Sequence, residues 1–250
     1  MTDQEKSQDK QEDAKLDGKM FSGVADVAFC FDTTGSMSSC IADVRTQLRE
    51  LIVSISKDIP GLRIAMIAHG DYCDGPNCIT VLDFTNNHDA IIEFVNNAPN
   101  TGGGDADECY ELALNKARNL SWSGNGGAFV MIGDADPHGV NYPGNTDKLD
   151  WRVELKELCS IVSKVYLMKC MRGSSPFWAE AAEMAGTPLL HLDNFEESAT
   201  TLGAIAYAST GDANMLRGYA RSVANSGVIS ATMACTFDEI ATNLEKTDEE

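Results

Sequence analysis

The chain has 250 residues, 43% of them hydrophobic and 23% charged, with 21 glycines and 7 prolines; that apolar share can fill a substantial core and excludes wholesale disorder. Acidic residues outnumber basic ones 38 to 19, a net charge of −19. A surface so negative repels phosphate backbones and anionic lipid, so neither nucleic acid nor a membrane is an expected partner.

Residues 1–21 read as a disordered polar tail without the apolar core of a signal peptide, and no stretch approaches the ~20 apolar residues of a membrane span. The eight cysteines, spread through a chain with no export signal, read as reduced thiols of a cytoplasmic protein. Val24 to Phe31 is strand-like. Ser38 to Lys57 then places Ile41, Val44, Leu48, Leu51, Ile52 and Ile55 on one helical stripe, which Pro60-Gly61 ends. Strands follow at Leu62 to Ala68 and Ile79 to Phe84, then helices at His88 to Ala98 and Glu108 to Leu120, with His88 as a candidate cap. The strand Ala128 to Ile132, a polar loop to Asp147 and the helix Leu149 to Val162 come next. The strand Lys164 to Met168, the helix Pro176 to Ala185, the strand Pro188 to Leu192 and the helix Asn194 to Ala208 complete the pattern. Such alternation predicts an α/β fold, a doubly wound, mostly parallel six-stranded sheet of order 3-2-1-4-5-6. The second and third strands lack a helix between them, so the third is expected as an antiparallel edge strand. Residues 209–244 are expected as a C-terminal helical extension, with Met215, Tyr219 and Val223 as one weak apolar stripe and Phe237, Ile240 and Leu244 as another; residues 245–250 form an acidic tail.

Chemistry-bearing residues gather in the loops after the strands, the edge at which open parallel sheets bind ligands. After the first strand, Asp32, Thr34 and Ser36 alternate around Gly35. One carboxylate and two hydroxyls are hard oxygen donors, a partial shell for Mg²⁺ or Mn²⁺, the alternative being a simple helix cap. After the fourth strand come Asp134 and Asp136, and before the helix at Glu108 lies Thr101-Gly102-Gly103-Gly104-Asp105. A capping box from Asp105 to Glu108 is the alternative for that loop. Three oxygen-bearing loops on one edge favour a shared metal site.

The order of elements and these loops resemble a von Willebrand factor type A domain of the intracellular kind, with a metal ion-dependent adhesion site. Asp32-x-Thr34-x-Ser36 is similar to the family's signature, and Ile67-Ala68-His69-Gly70-Asp71 with Val81-Leu82-Asp83-Phe84-Thr85 to its second strand and edge hairpin. The resemblance covers residues 22–208 and implies that Thr34 and Ser36 ligate the ion directly, with Asp32 and Asp134 holding it through water. The family's third loop normally gives a threonine. Here Asp105 is expected in that role ahead of Thr101, and Asp136 stands as a further candidate.

His138 reads either as a supporting or partner-contacting residue beside Asp136 or as a solvated loop residue. His69 and His191 read as core or edge residues, and the three tryptophans as packing. Cys73 and Cys78 read as loop thiols rather than a bridge or part of a zinc site, since no second Cys/His pair stands nearby at zinc spacing. The expected function is a non-catalytic, divalent-cation-dependent module that captures an Asp or Glu of a partner protein. The alternative is a magnesium-dependent phosphoaspartyl-type phosphotransferase or phosphatase using Asp32, which Thr33 argues against because that chemistry places lysine there. A metal-independent scaffold is the third class.

Overall fold

Along β1 (Ala25–Asp32), Val27, Phe29 and Phe31 point to one side of the sheet and Ala28 and Cys30 to the other, and all are buried. A strand apolar on both faces needs cover on both. The structure, a computed structural model, describes residues 25–38, 52, 55, 58, 59, 61–124, 127–170, 175–192, 195–225, 237 and 240. Most of the helix predicted over Ser38 to Lys57 lies outside these, as do both tails; Ile52 and Ile55 are helical and buried in the core.

The remaining long strands are β2 (Leu62–His69), β3 (Ile79–Thr85), β5 (Ala128–Gly133), β7 (Lys164–Cys170) and β8 (Leu189–Leu192), with two-residue strands β4 (Asp107–Glu108) and β6 (Asp136–Pro137) between them. The main sheet runs β3-β2-β1-β5-β7-β8. Every neighbouring pair is parallel except β2 with β3. This is the predicted order and the predicted antiparallel edge. Between β2 and β3 the chain makes a 3-10 turn over Tyr72–Asn77, opened by an Asp71–Asp74 capping box and bent at Gly75, where φ is 58°.

Helices α2 (Tyr110–Arg118), α3 (Trp151–Cys159) and α4 (Pro176–Ala185) cover the Ala28 and Cys30 face. Helices α1 (His88–Asn97), α5 (Phe195–Ala208) and α6 (Ala213–Asn225) cover the other. In α6, Met215, Tyr219, Ala220 and Val223 pack against the core, and the Tyr219 ring stacks on Tyr207 at 4.6 Å. The α1 cap is Asn87, whose side chain accepts from Ala90 N, and not the expected His88, which is the first helical residue. Cys30 and Cys170 are buried strand residues, and the six described cysteines are free thiols.

Candidate metal centre at the sheet edge

Parallel pairing brings the C-terminal ends of β1, β2 and β5 level, with Asp32 opposite His69 and Phe31 opposite Ile132. Just beyond that edge, Asp32 is fully buried. One of its oxygens accepts from Thr34 N at 2.8 Å and from the Thr34 hydroxyl at 2.7 Å. The Thr34 and Ser36 hydroxyls are 3.3 Å apart, and Ser36 donates to Asp134 at 3.2 Å. Two carboxylates and two hydroxyls thus form one continuous string, with Thr34 buried and Ser36 exposed. Burial raises the Asp134 carboxyl, and the negative charge of Asp32 raises it further.

Tyr110, the first residue of α2, holds this string from beneath. Its hydroxyl donates to the second Asp32 oxygen at 2.8 Å and accepts from Asp134 N at 3.2 Å and Ala135 N at 3.4 Å. A β-carbon on Gly133 would land on that hydroxyl, so only glycine permits the approach. Burial, then Asp32, pushes the phenol well above its ordinary range, which keeps it a donor. Trp178 fixes the same loop by donating to Ala135 O at 2.9 Å.

The other expected donors bond elsewhere. Thr101 pairs with the Thr33 hydroxyl at 2.9 Å, and Thr33 in turn donates to His69 O. Asp136 accepts from Ser175. Asp105 accepts from Asp107 N at 2.9 Å, a local turn in place of the capping box, and α2 starts only at Tyr110 because Asp107–Glu108 pairs with Asp136–Pro137.

Asp105 belongs instead to a second group, in which donor atoms of Asp71, Asp105 and His138 all lie within 4.8 Å of one another. Asp71 is buried, and His138 Nε2 stands 2.8 Å from its Oδ1. Burial pushes Asp71 up, but its bonds from His138, Cys73 and Tyr72 outweigh that and hold the carboxyl below its ordinary range. Beside it, Glu111 is buried, accepting from the Tyr72 hydroxyl at 2.8 Å and His138 N at 3.1 Å; burial lifts it to about 7. Glu108, also buried, is pushed up to about 9 by burial and then by Asp32, Asp71, Asp74 and Asp105. Tyr110 and Glu111 carry no local sequence signal and Glu108 only that of a capping box, while His138 proves to be a buried partner of Asp71 and not a solvated loop residue.

Residues 26–149 match the von Willebrand factor A domain family. Among curated proteins, the putative ariadne-like RING finger protein R811 of Acanthamoeba polyphaga mimivirus is 26% identical over 196 residues, which are 71% of this chain and 19% of that protein. Among solved structures, the pilus adhesin SpaC of Lactobacillus rhamnosus GG in its open conformation matches with a TM-score of 0.56 at 14% identity, over 75% of this chain and 30% of the adhesin. A von Willebrand factor type A protein from Catenulispora acidiphila matches with a TM-score of 0.56 at 13% identity, over 76% of this chain and 43% of its own. The chain thus spans less than half the length of each of these relatives, and at such identities the structures share the fold alone. Residues 26–149 thus form a von Willebrand factor A domain, and the sheet has the architecture these structures share.

Proposed function

We propose that the chain is a non-catalytic, divalent-cation-dependent protein-binding module of the cytoplasm, taking an Asp or Glu side chain of a partner protein at the edge formed by Asp32, Thr34, Ser36 and Asp134. The von Willebrand factor A domain is an interaction and adhesion fold, which sets the class. The observation that carries the reading is the unbroken string of carboxylate, hydroxyl, hydroxyl and carboxylate. This set fits Mg²⁺ or Mn²⁺: all four donors are hard oxygens, and the charge of Asp32 makes the Asp134 carboxylate costly in a way a cation relieves. Thr34 and Ser36 would hold the ion directly, and Asp32 and Asp134 would anchor its waters. Bound there, the ion supplies a Lewis-acidic position that a partner carboxylate can fill.

The chain's own residues prepare that position. Tyr110 and the Thr34 amide fix both Asp32 oxygens, so the Thr34 hydroxyl is presented at one place. Ser36, exposed, opens the set toward solvent and a partner. Asp105, Thr101 and Asp136 bond outside the string, so the reading rests on the four residues within it. Thr33, tied to His69 O and Thr101, brings no positive charge to Asp32, which supports binding over phosphoryl transfer.

Calorimetric titration with Mg²⁺ tests the reading. Heat of binding should be present in the wild type and absent in Ser36→Ala and Asp32→Ala, with circular dichroism showing the fold retained. Unchanged titrations in both variants would sink it. Mg²⁺-dependent phosphatase turnover that vanishes in Asp32→Asn would promote the enzymatic alternative.

A further inference from the structure

The loops beyond β2, before α2 and after β6 bring together donors that the hydroxyl string does not use. Asp71, Asp105 and His138 each offer a ligand atom, all within 4.8 Å of one another. Each is oriented by a fixed partner. The Asp71 oxygens accept from Tyr72 N at 2.6 Å and Gly104 N at 3.0 Å. The His138 ring lies flat on Tyr142 at 3.7 Å, and Asp105 accepts from Asp107 N at 2.9 Å. Outer partners of this kind aim ligands at a metal and raise its affinity.

Glu108 points independently to a cation in this region. It is 4% exposed, its Oε2 meets no hydrogen-bond partner, and the charges of Asp32, Asp71, Asp74 and Asp105 act on its carboxyl. A buried carboxyl oxygen with no partner, set among other acids, is stabilised when a positive charge comes near it.

We propose that Asp71, Asp105 and His138 form a second metal site, selective for Zn²⁺ over Mg²⁺, near the buried, unpartnered carboxyl of Glu108. One imidazole and two carboxylates suit Zn²⁺, which accepts nitrogen and oxygen together and works with three protein ligands and an open fourth position. Mg²⁺ prefers an all-oxygen octahedron. Asp105 is exposed, so the fourth position faces solvent. His138 Nε2 now stands 2.8 Å from Asp71 Oδ1. Tetrahedral zinc spaces its ligands by about 3.3 Å, so that pair parts by roughly half an ångström on binding. The proton between them leaves Nε2, and the neutral ring carries its proton at Nδ1.

Titration of the whole metal-stripped chain with Zn²⁺, in buffer already saturated with Mg²⁺, tests the site, with Co²⁺ as a spectroscopic substitute. One Zn²⁺ should bind. His138→Gln should weaken it at least about a hundredfold, beyond what losing an outer partner costs. Asp105→Asn, an exposed change that spares the fold, should weaken it about tenfold or more, while Ser36→Ala should leave it intact and lose only Mg²⁺. Retention of wild-type Zn²⁺ affinity by Asp105→Asn, or loss of Zn²⁺ in Ser36→Ala, would overturn the proposal. So would a sulfur-to-cobalt charge-transfer band, which would put the ion on Cys73. Failure of the Mg²⁺ titration alone would count against the hydroxyl string and not against this site.

Discussion

Replacing Tyr110 by phenylalanine removes one oxygen atom and with it the support of the whole hydroxyl string. The lost donation at 2.8 Å goes to a fully buried carboxylate oxygen, and a hydrogen bond to a charged group contributes about 1.5–3 kcal/mol. The Asp134 and Ala135 amides, at 3.2 and 3.4 Å, lose their acceptor as well; these longer bonds add about 0.5 kcal/mol each. The expected loss is about 3 kcal/mol, or about 6–12 °C in Tm for a chain of this size. Urea unfolding of the wild type, Tyr110→Phe, Asp32→Asn and the double variant measures it, with an expected coupling of about 2 kcal/mol. A single-variant loss below about 0.5 kcal/mol, or a coupling near zero, would refute the claim that Tyr110 holds Asp32.

Gly133→Ala should destabilise at least as much as Tyr110→Phe, and the two together should cost less than their sum, because both act on the same hydroxyl; additive urea midpoints would contradict this. At the opposite end of β1, Arg63 grips the buried Asp26 through two bonds of 2.8 and 2.7 Å. Among the described residues, Arg63→Met leaves that carboxylate only the Ser123 amide and should cost about 2–4 kcal/mol in urea unfolding while leaving Mg²⁺ titration unchanged. Burial pushes Asp83 up, but the Ser121 hydroxyl at 2.6 Å, the Ser121 and Phe84 amides and Arg63 outweigh it, so its carboxyl sits below its ordinary value of 3.8. A depressed acid stabilises above its unfolded pKa and stops doing so as pH falls through the folded one. The stability gap between wild type and Asp83→Asn should therefore be full at neutral pH and close below pH about 4; a gap constant with pH would contradict it.

The fold was legible because its information is local and repeated. Each strand of the main sheet announces itself by a short apolar run, as Val24 to Phe31 does for β1 at 25–32, and each helix by a stripe. The helixless step from Ala68 to Ile79 was enough to mark the antiparallel edge. The first half of the hydroxyl string was legible for the same reason, since Asp32, Thr34 and Ser36 are spaced by two along one turn of chain. What could not be read are contacts made across the sequence. Tyr110 reaches Asp32 over 78 positions and His138 reaches Asp71 over 67. A buried phenol or imidazole looks, residue by residue, like ordinary packing. The β4–β6 pairing is two residues long and has no period to detect, yet it delays the start of α2 to Tyr110. Two effects follow from that delay. Glu108 becomes a buried strand residue instead of an exposed helix-start acid, and Asp105 is freed from the capping box to stand beside Asp71 and His138. A pairing too short to leave a trace in the sequence thus divides the glycine-rich loop between two side-chain clusters: Thr101 tied to Thr33 beside Asp32, and Asp105 near the imidazole of His138.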